Sequence, residues 1–208
     1  LRNPANDGYY EEVQAVYGTR TRVELPDGSS AFLNSGSSLR FPGKLATQKE
    51  RRVELKGEGY FKVTKDPERP FIVDAGKISV KALGTAFNVN AYEPESGIDV
   101  ALVEGKVSVH VEQGKNSGTG MMLEPNELAR FNAGENSLSK ELIRDPRKYT
   151  GWTEGKMIFK DDPIREVVRR MENWYHVNIR LQDKELLNYR FTGTFVDEPL
   201  EEILNTFS

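Results

Sequence analysis

The sequence predicts a mainly β protein. An all-β lobe, sandwich or solenoid-like, spans residues 13–131, and a small α+β lobe of order β-α-β-β-α spans 152–208, with a linker at 132–151 between them. Three observations carry this reading. Short apolar runs with a period of two fill the first two thirds of the chain. A ten-residue pattern with helical spacing occurs twice in the last third. A polar stretch ending in Asp145-Pro146 separates the two regions.

The β elements follow in order. Thr19, Thr21, Val23 and Leu25 alternate with polar or charged neighbours, the period of a half-buried strand. Pro26-Asp27-Gly28 supplies a turn, because proline presets φ and glycine accepts positive φ. Ala31–Leu33 returns. Further short strands are expected at Val53–Leu55, Tyr60–Val63, Phe71–Val73, Ile78–Leu83, Phe87–Tyr92, Val100–Val103, Val107–Val111 and Leu128–Phe131, punctuated by Gly, Pro, Asn and Asp. Gly57-Glu58-Gly59 reads as a turn feeding a strand, where glycine relieves a bend. Residues 113–120 read as a polar, glycine-rich hairpin tip. Sandwich, barrel and short solenoid all remain compatible with this spacing.

The second lobe is marked by its repeat. Phe159-Lys160-Asp161-Asp162-Pro163-Ile164-Arg165-Glu166-Val167-Val168 matches Phe195-Val196-Asp197-Glu198-Pro199-Leu200-Glu201-Glu202-Ile203-Leu204, an offset of 36 residues. Each copy reads as a strand-ending Phe, an Asp placed to cap free helix amides, a Pro of the first helical turn and an apolar helical stripe. Asp162 and Asp197 are the expected caps. Ile164, Val167, Val168, Met171, Trp174 and Tyr175 form the first stripe, which favours core packing for the two aromatics. Leu200, Ile203, Leu204 and Phe207 form the second. Val177, Ile179 and Leu181 alternate as a strand, and Tyr189 to Phe195 holds another.

Composition bounds the chemistry. The 208 residues are 37% hydrophobic and 29% charged, with net charge −3, so no basic field draws the chain to nucleic acid. Absence of cysteine excludes disulfides and thiol chemistry. No run approaches a membrane span of about 20 apolar residues. The two histidines, His110 and His176, have no partner at ligand spacing, so no metal site is expected. The carboxylate pairs Asp161-Asp162 and Glu201-Glu202 fall in the repeat, where helix-end roles explain them. Gly84-Thr85-Ala86-Phe87 lacks phosphate-loop spacing. Arg51-Arg52 and Arg169-Arg170 read as solvated pairs. Nothing points to an enzyme or a cofactor. The start at Leu1 and the stop inside an apparent helix read as a fragment of a longer protein.

Several stretches resemble one family. Thr19 to Ser29, Leu33-Asn34-Ser35, Leu39-Arg40-Phe41-Pro42, Arg52 to Val63, Pro70 to Val73, Val80 to Val89, Leu102 to Val109 and Leu123 to Glu127 together resemble the FecR family of transmembrane anti-sigma regulators. Pro125-Asn126 stands where that family more often has Pro-Gly. Trp152 to Phe159 and the repeat resemble the C-terminal module of its Bacteroidetes-type members, which is similar to the secretin/TonB short N-terminal fold. The resemblance implies no catalytic residues. It implies the periplasmic portion of a single-pass inner-membrane protein, whose missing cytoplasmic domain holds an extracytoplasmic-function sigma factor. The implied partner is the N-terminal signalling domain of a TonB-dependent outer-membrane transporter, and substrate loading of the transporter releases the sigma factor. Expected partner-binding residues lie on the two edge strands of the second lobe: Val177, Ile179, Leu181, Tyr189, Phe191 and Phe195. The alternative is a carbohydrate-binding β-sandwich module, which would display aromatics on one exposed sheet face.

Overall fold

A computed structural model describes residues 9–92, 97–112 and 120–206. Its organising element is β5 (Arg51–Lys62), which two sheets share. The first half of β5 pairs with β4 (Ser38–Pro42) and, in parallel, with β6 (Phe71–Ala75). Its second half pairs with β3 (Ser30–Leu33) and β8 (Ala86–Ala91). One sheet then runs from β1 (Tyr10–Gln14) through β4, β5, β6 and β7 (Ile78–Ala82) to β10 (Val107–Val111) and β11 (Met121–Leu123). The other runs from β2 (Thr21–Glu24) through β3, β5, β8 and β9 (Gly97–Glu104) to β12 (Glu127–Asn132) and β13 (Ser137–Leu142). The result is a nearly closed sandwich folded about one strand.

Gly57 makes the fold about β5 possible. Its φ is +88°, and a Cβ there would lie 2.9 Å from the Ser37 Cα. The Gly57-Glu58-Gly59 segment is therefore a bend inside one continuous strand rather than a turn before a new one. The inner faces meet at Leu33, Leu39, Phe61, Phe71, Phe87 and Phe131, all at most 2% exposed, with Phe61 stacked on Phe87 at 5.3 Å.

Alternation along β5 also corrects the reading of Arg51-Arg52. Arg51 shares the inward face with Val53 and Leu55, and its side chain is 1% exposed. It pairs with Asp27 at 2.9 Å and donates to the Thr64 and Arg69 carbonyls. Only Arg52 is exposed, reaching Asp74 at 2.7 Å. The stretch at 132–148 carries β13, paired in register with β12. An edge strand exposed on both faces has no apolar period, and so it read as a linker. The glycine-rich tip falls, but for Gly120, outside the described residues. Asn126 has φ +66°, the left-handed conformation that a glycine takes readily and asparagine tolerates.

The second lobe follows α1 (Arg147–Thr150) and a 3₁₀ turn at Gly151–Glu154. It contains β14 (Lys156–Pro163), α2 (Ile164–Tyr175), a 3₁₀ turn at Lys184–Asn188, β15 (Arg190–Val196) and α3 (Leu200–Asn205). Its core is Met157, Phe159, Val167, Met171, Phe195 and Ile203. The repeat is real in three dimensions. Phe159 and Phe195 are both buried, with ring centroids 6.2 Å apart. Asp161 and Asp197 both take left-handed φ, 51° and 48°. Pro163 and Pro199 both hold the N-cap position with extended ψ, and Val167 and Ile203 occupy the same inward helical position.

Two expectations for this lobe are overturned. Asp162 lies next to the helix N-terminus as expected, directly before the N-cap Pro163, but neither it nor Asp197 caps a helix, because the prolines occupy the N-cap and no side chain accepts from the first turn. The chain turns sharply before each proline, which redirects both carboxylates. Asp162 accepts from the Lys160 amide at 2.9 Å and from Lys148. Residues 177–181 form no strand. His176 ends α2 in the left-handed conformation, and the Val177 and Ile179 amides then return to the Glu172 carbonyl and carboxylate. Their alternating burial is that of a loop lying on the lobe, which mimics a strand. Phe207 lies outside the described residues.

Candidate functional site

Two features of the second lobe bear on function: an open sheet edge and a polar seam. The edge arises because β14 and β15 form a two-stranded sheet. Asp197 donates its amide to the Gly155 carbonyl at 2.9 Å. Along an antiparallel pair, hydrogen-bonded and non-bonded positions alternate. Phe195 and Gly193 therefore turn their backbone groups toward β14, whereas Thr194 and Val196 present theirs to the other side. Among the described residues no strand pairs with that side.

The predicted partner residues divide between core and surface. Phe195 is buried, and Phe191 and Ile179 pack around the same core. The Phe191 ring stacks on Phe195 with centroids 5.7 Å apart. Val177 and Leu181 are half-buried in the loop, and Tyr189 is exposed. The structure thus gathers the β15 positions onto one strand and leaves 177–181 off it. Further exposed apolar groups of the lobe are Leu186, Leu187, Val196 and Leu204. Leu204 was read as part of the second helical stripe, whereas Leu186, Leu187 and Val196 lie at no apolar period that would single them out.

The seam joins the lobe to the outer face of the sheet that contains β8 and β9. Trp152 is its hub, packed with Tyr60 and Ala86 and flanked by Phe32, Val103 and Trp174. The Trp152 indole donates to Asn88 Oδ1 at 3.0 Å. The Asn88 amide donates in turn to Glu58 Oε1 at 2.9 Å, and Asn34 donates to Glu58 Oε2 at 2.8 Å. Burial pushes the Glu58 carboxyl up from its ordinary value. The two amide donors, with Arg170 and Arg169, pull against that shift. Burial likewise draws the Arg170 guanidinium down, opposed by Glu58. Arg170 donates to the Ile158 and Lys148 carbonyls and lies 4.5 Å from the Phe159 ring centroid. The Arg169-Arg170 pair is therefore not simply solvated. A cavity of about 40 Å³ lies among these groups.

The chemistry of this arrangement is that of a joint. Among the described residues no group of His, Cys, Asp or Glu is placed to hold a metal. His110 bonds with the Ser108 hydroxyl at 2.8 Å, and His176 stacks on Tyr17. The sheet face on which a carbohydrate module would show aromatics is covered, since Phe32 and Tyr60 pack toward Trp152. No helix of the described residues is long and apolar enough to cross a membrane.

The molecule is thus a sandwich that carries a small, edge-open α+β lobe across one face. The comparisons make this specific. Residues 12–108 match the family model described as FecR protein, and residues 156–208 match the model described as FecR, C-terminal. Two crystal structures, at 1.65 and 2.50 Å resolution, of a Parabacteroides distasonis ATCC 8503 protein assigned as an anti-sigma factor share the fold with TM-score 0.82 and 32% identity. They cover 95% and 96% of this chain and 90% of their own. No curated protein matches. The chain belongs to the FecR family of anti-sigma regulators, and its role is regulatory signalling.

Proposed function

We propose that this chain is the periplasmic, signal-receiving region of an inner-membrane anti-sigma factor, and that it relays substrate loading of a TonB-dependent outer-membrane transporter. The transporter's N-terminal signalling domain adds a strand to the free edge of β15. Main-chain hydrogen bonds at Thr194 and Val196 supply affinity, and flanking side chains such as Tyr189 supply specificity. An extracytoplasmic-function sigma factor is held by a cytoplasmic domain outside this sequence and is released when the signal arrives. The observation that carries the reading is the β15 edge, unpaired among the described residues, in a chain of this family. An unpaired edge presents a row of free backbone groups on which a partner strand can pair.

Calorimetric titration of the whole chain with the signalling domain of the transporter encoded beside it tests the pairing. Saturable one-to-one binding is expected, with a sigma-factor gene upstream and the transporter gene downstream. No binding to that domain, or a neighbourhood that encodes neither a sigma factor nor such a transporter, would overturn the reading.

A further inference from the structure

The connection between β1 and β2, residues 15–20, leaves the sandwich and grips the second lobe at three places. The Tyr17 ring stacks on the His176 ring, centroids 3.5 Å apart and planes 17° apart, where α2 ends. The Arg20 guanidinium donates to the Trp152 carbonyl at 3.0 Å and to Asp197 Oδ1 at 2.5 Å. It also covers the Trp174 indole at 5.1 Å. The three grips fall on separate elements: the end of α2, the 151–154 turn, and the residue that directly follows β15.

The loop is itself braced on the sandwich side. Gly18 donates its amide to Ser35 Oγ at 2.9 Å, Thr19 returns its amide and hydroxyl to the Val16 carbonyl, and Ala15 donates to the Ser37 carbonyl. β1, which feeds the loop, is an edge strand paired, among the described residues, only with β4. The lobe it grips is small, with six buried apolar side chains in its core. A unit that small leans on its neighbour for stability. The stacked ring, the charge-assisted bonds and the cation–π contact are each modest, and together they are enough to bias a joint.

We infer that residues 15–20 form a latch that holds the second lobe closed on the sandwich and transmits the state of the β15 end to β1. Opening at Asp197 removes one of the Arg20 anchors. The loop's hold on the second lobe then weakens, and the short edge strand β1 loosens with it. The latch thereby couples the second lobe to the β1 edge of the sandwich. The latch stands without any assumption about which partner docks on β15.

The test needs no partner. The chain's two tryptophans both lie at the seam. In a Trp174→Phe background Trp152 is the sole tryptophan reporter. Tyr17→Ala and Arg20→Ala are each expected to raise acrylamide quenching of Trp152 by about threefold while the far-ultraviolet β signal stays intact, because a buried indole becomes reachable only when the joint opens. Hydrogen exchange on Asp197→Asn, a change in the second lobe alone, is expected to be at least about tenfold faster at residues 11–14 of β1, with β6 and β7 unchanged. Arg20→Lys, which keeps the charge and one donor, should restore most of the protection if Arg20→Ala unfolds the chain. Unaltered Trp152 quenching in both Tyr17→Ala and Arg20→Ala, or in Tyr17→Ala alone where Arg20→Ala does not fold, would overturn the latch. Faster exchange in the second lobe with none in β1 would overturn the transmission to β1.

Discussion

Asp27 and Arg51 are the residues on which the sandwich depends most visibly. Both side chains are 1% exposed, and the Arg51 fork also serves two carbonyls. Removing one member leaves the other buried and unpaired, a cost of about 3–5 kcal/mol. Asp27→Ala should lower unfolding free energy by that amount in urea, and a loss under about 1 kcal/mol would show the pair to be dispensable. The Pro26-Asp27-Gly28 turn was legible in the sequence from its residue types. The pairing was not, since 24 residues separate the partners and no local pattern encodes the reach.

Glu58 gives a pH signature at the same scale. Burial raises its folded pKa above the unfolded value, so the native state binds the proton more tightly. The stability this contributes is fully present below the unfolded carboxylate range and is lost as pH rises through the raised value. Compared with Glu58→Gln across roughly pH 4 to 7, the wild-type chain should lose stability progressively, with a slope of at most about 1.4 kcal/mol per pH unit. Parallel curves for the two proteins would remove Glu58 from the account.

At the scale of elements, the repeated strand-to-helix junction is the informative unit. Its Phe, Pro and helical stripe could be read directly, because each has one dominant structural use. The aspartates misled, because Asp serves both as a helix cap and as a residue that tolerates left-handed φ. The junction predicts that Asp161→Gly is nearly neutral, whereas Asp161→Val costs about 1–2 kcal/mol through its forced positive φ. Equal melting temperatures for the Gly and Val variants would show that φ is not what Asp161 contributes. The same scale explains the missed strands. β13 and β1 are edges without a buried face, and β4 alternates over only five residues with two apolar positions, Leu39 and Phe41, so none offers the longer apolar period that revealed β7 or β10. The loop at 177–181 has the period without the pairing.

Across the whole molecule, the sequence conveyed the two kinds of architecture and their order, but not how they sit together. The seam is built from isolated polar residues of several strands, Glu58, Asn34 and Asn88, meeting Trp152 from the far side of the chain. Such convergence depends on topology and has no signature in spacing. The unpaired side of β15 is likewise a property of the assembled sheet. It carries the central claim, that a partner strand is received there. The most direct measurement is the affinity of the full chain and its Thr194→Pro variant for the transporter's signalling domain, with amide exchange followed in the complex. Proline at 194 removes an outward-facing donor and leaves the bonds to β14 intact, so the fold tolerates it as edge strands do. The account predicts protection of the Thr194 and Val196 amides on binding, and at least about tenfold weaker affinity for the folded variant. Undiminished affinity of Thr194→Pro, with protection confined to the sandwich, would contradict it.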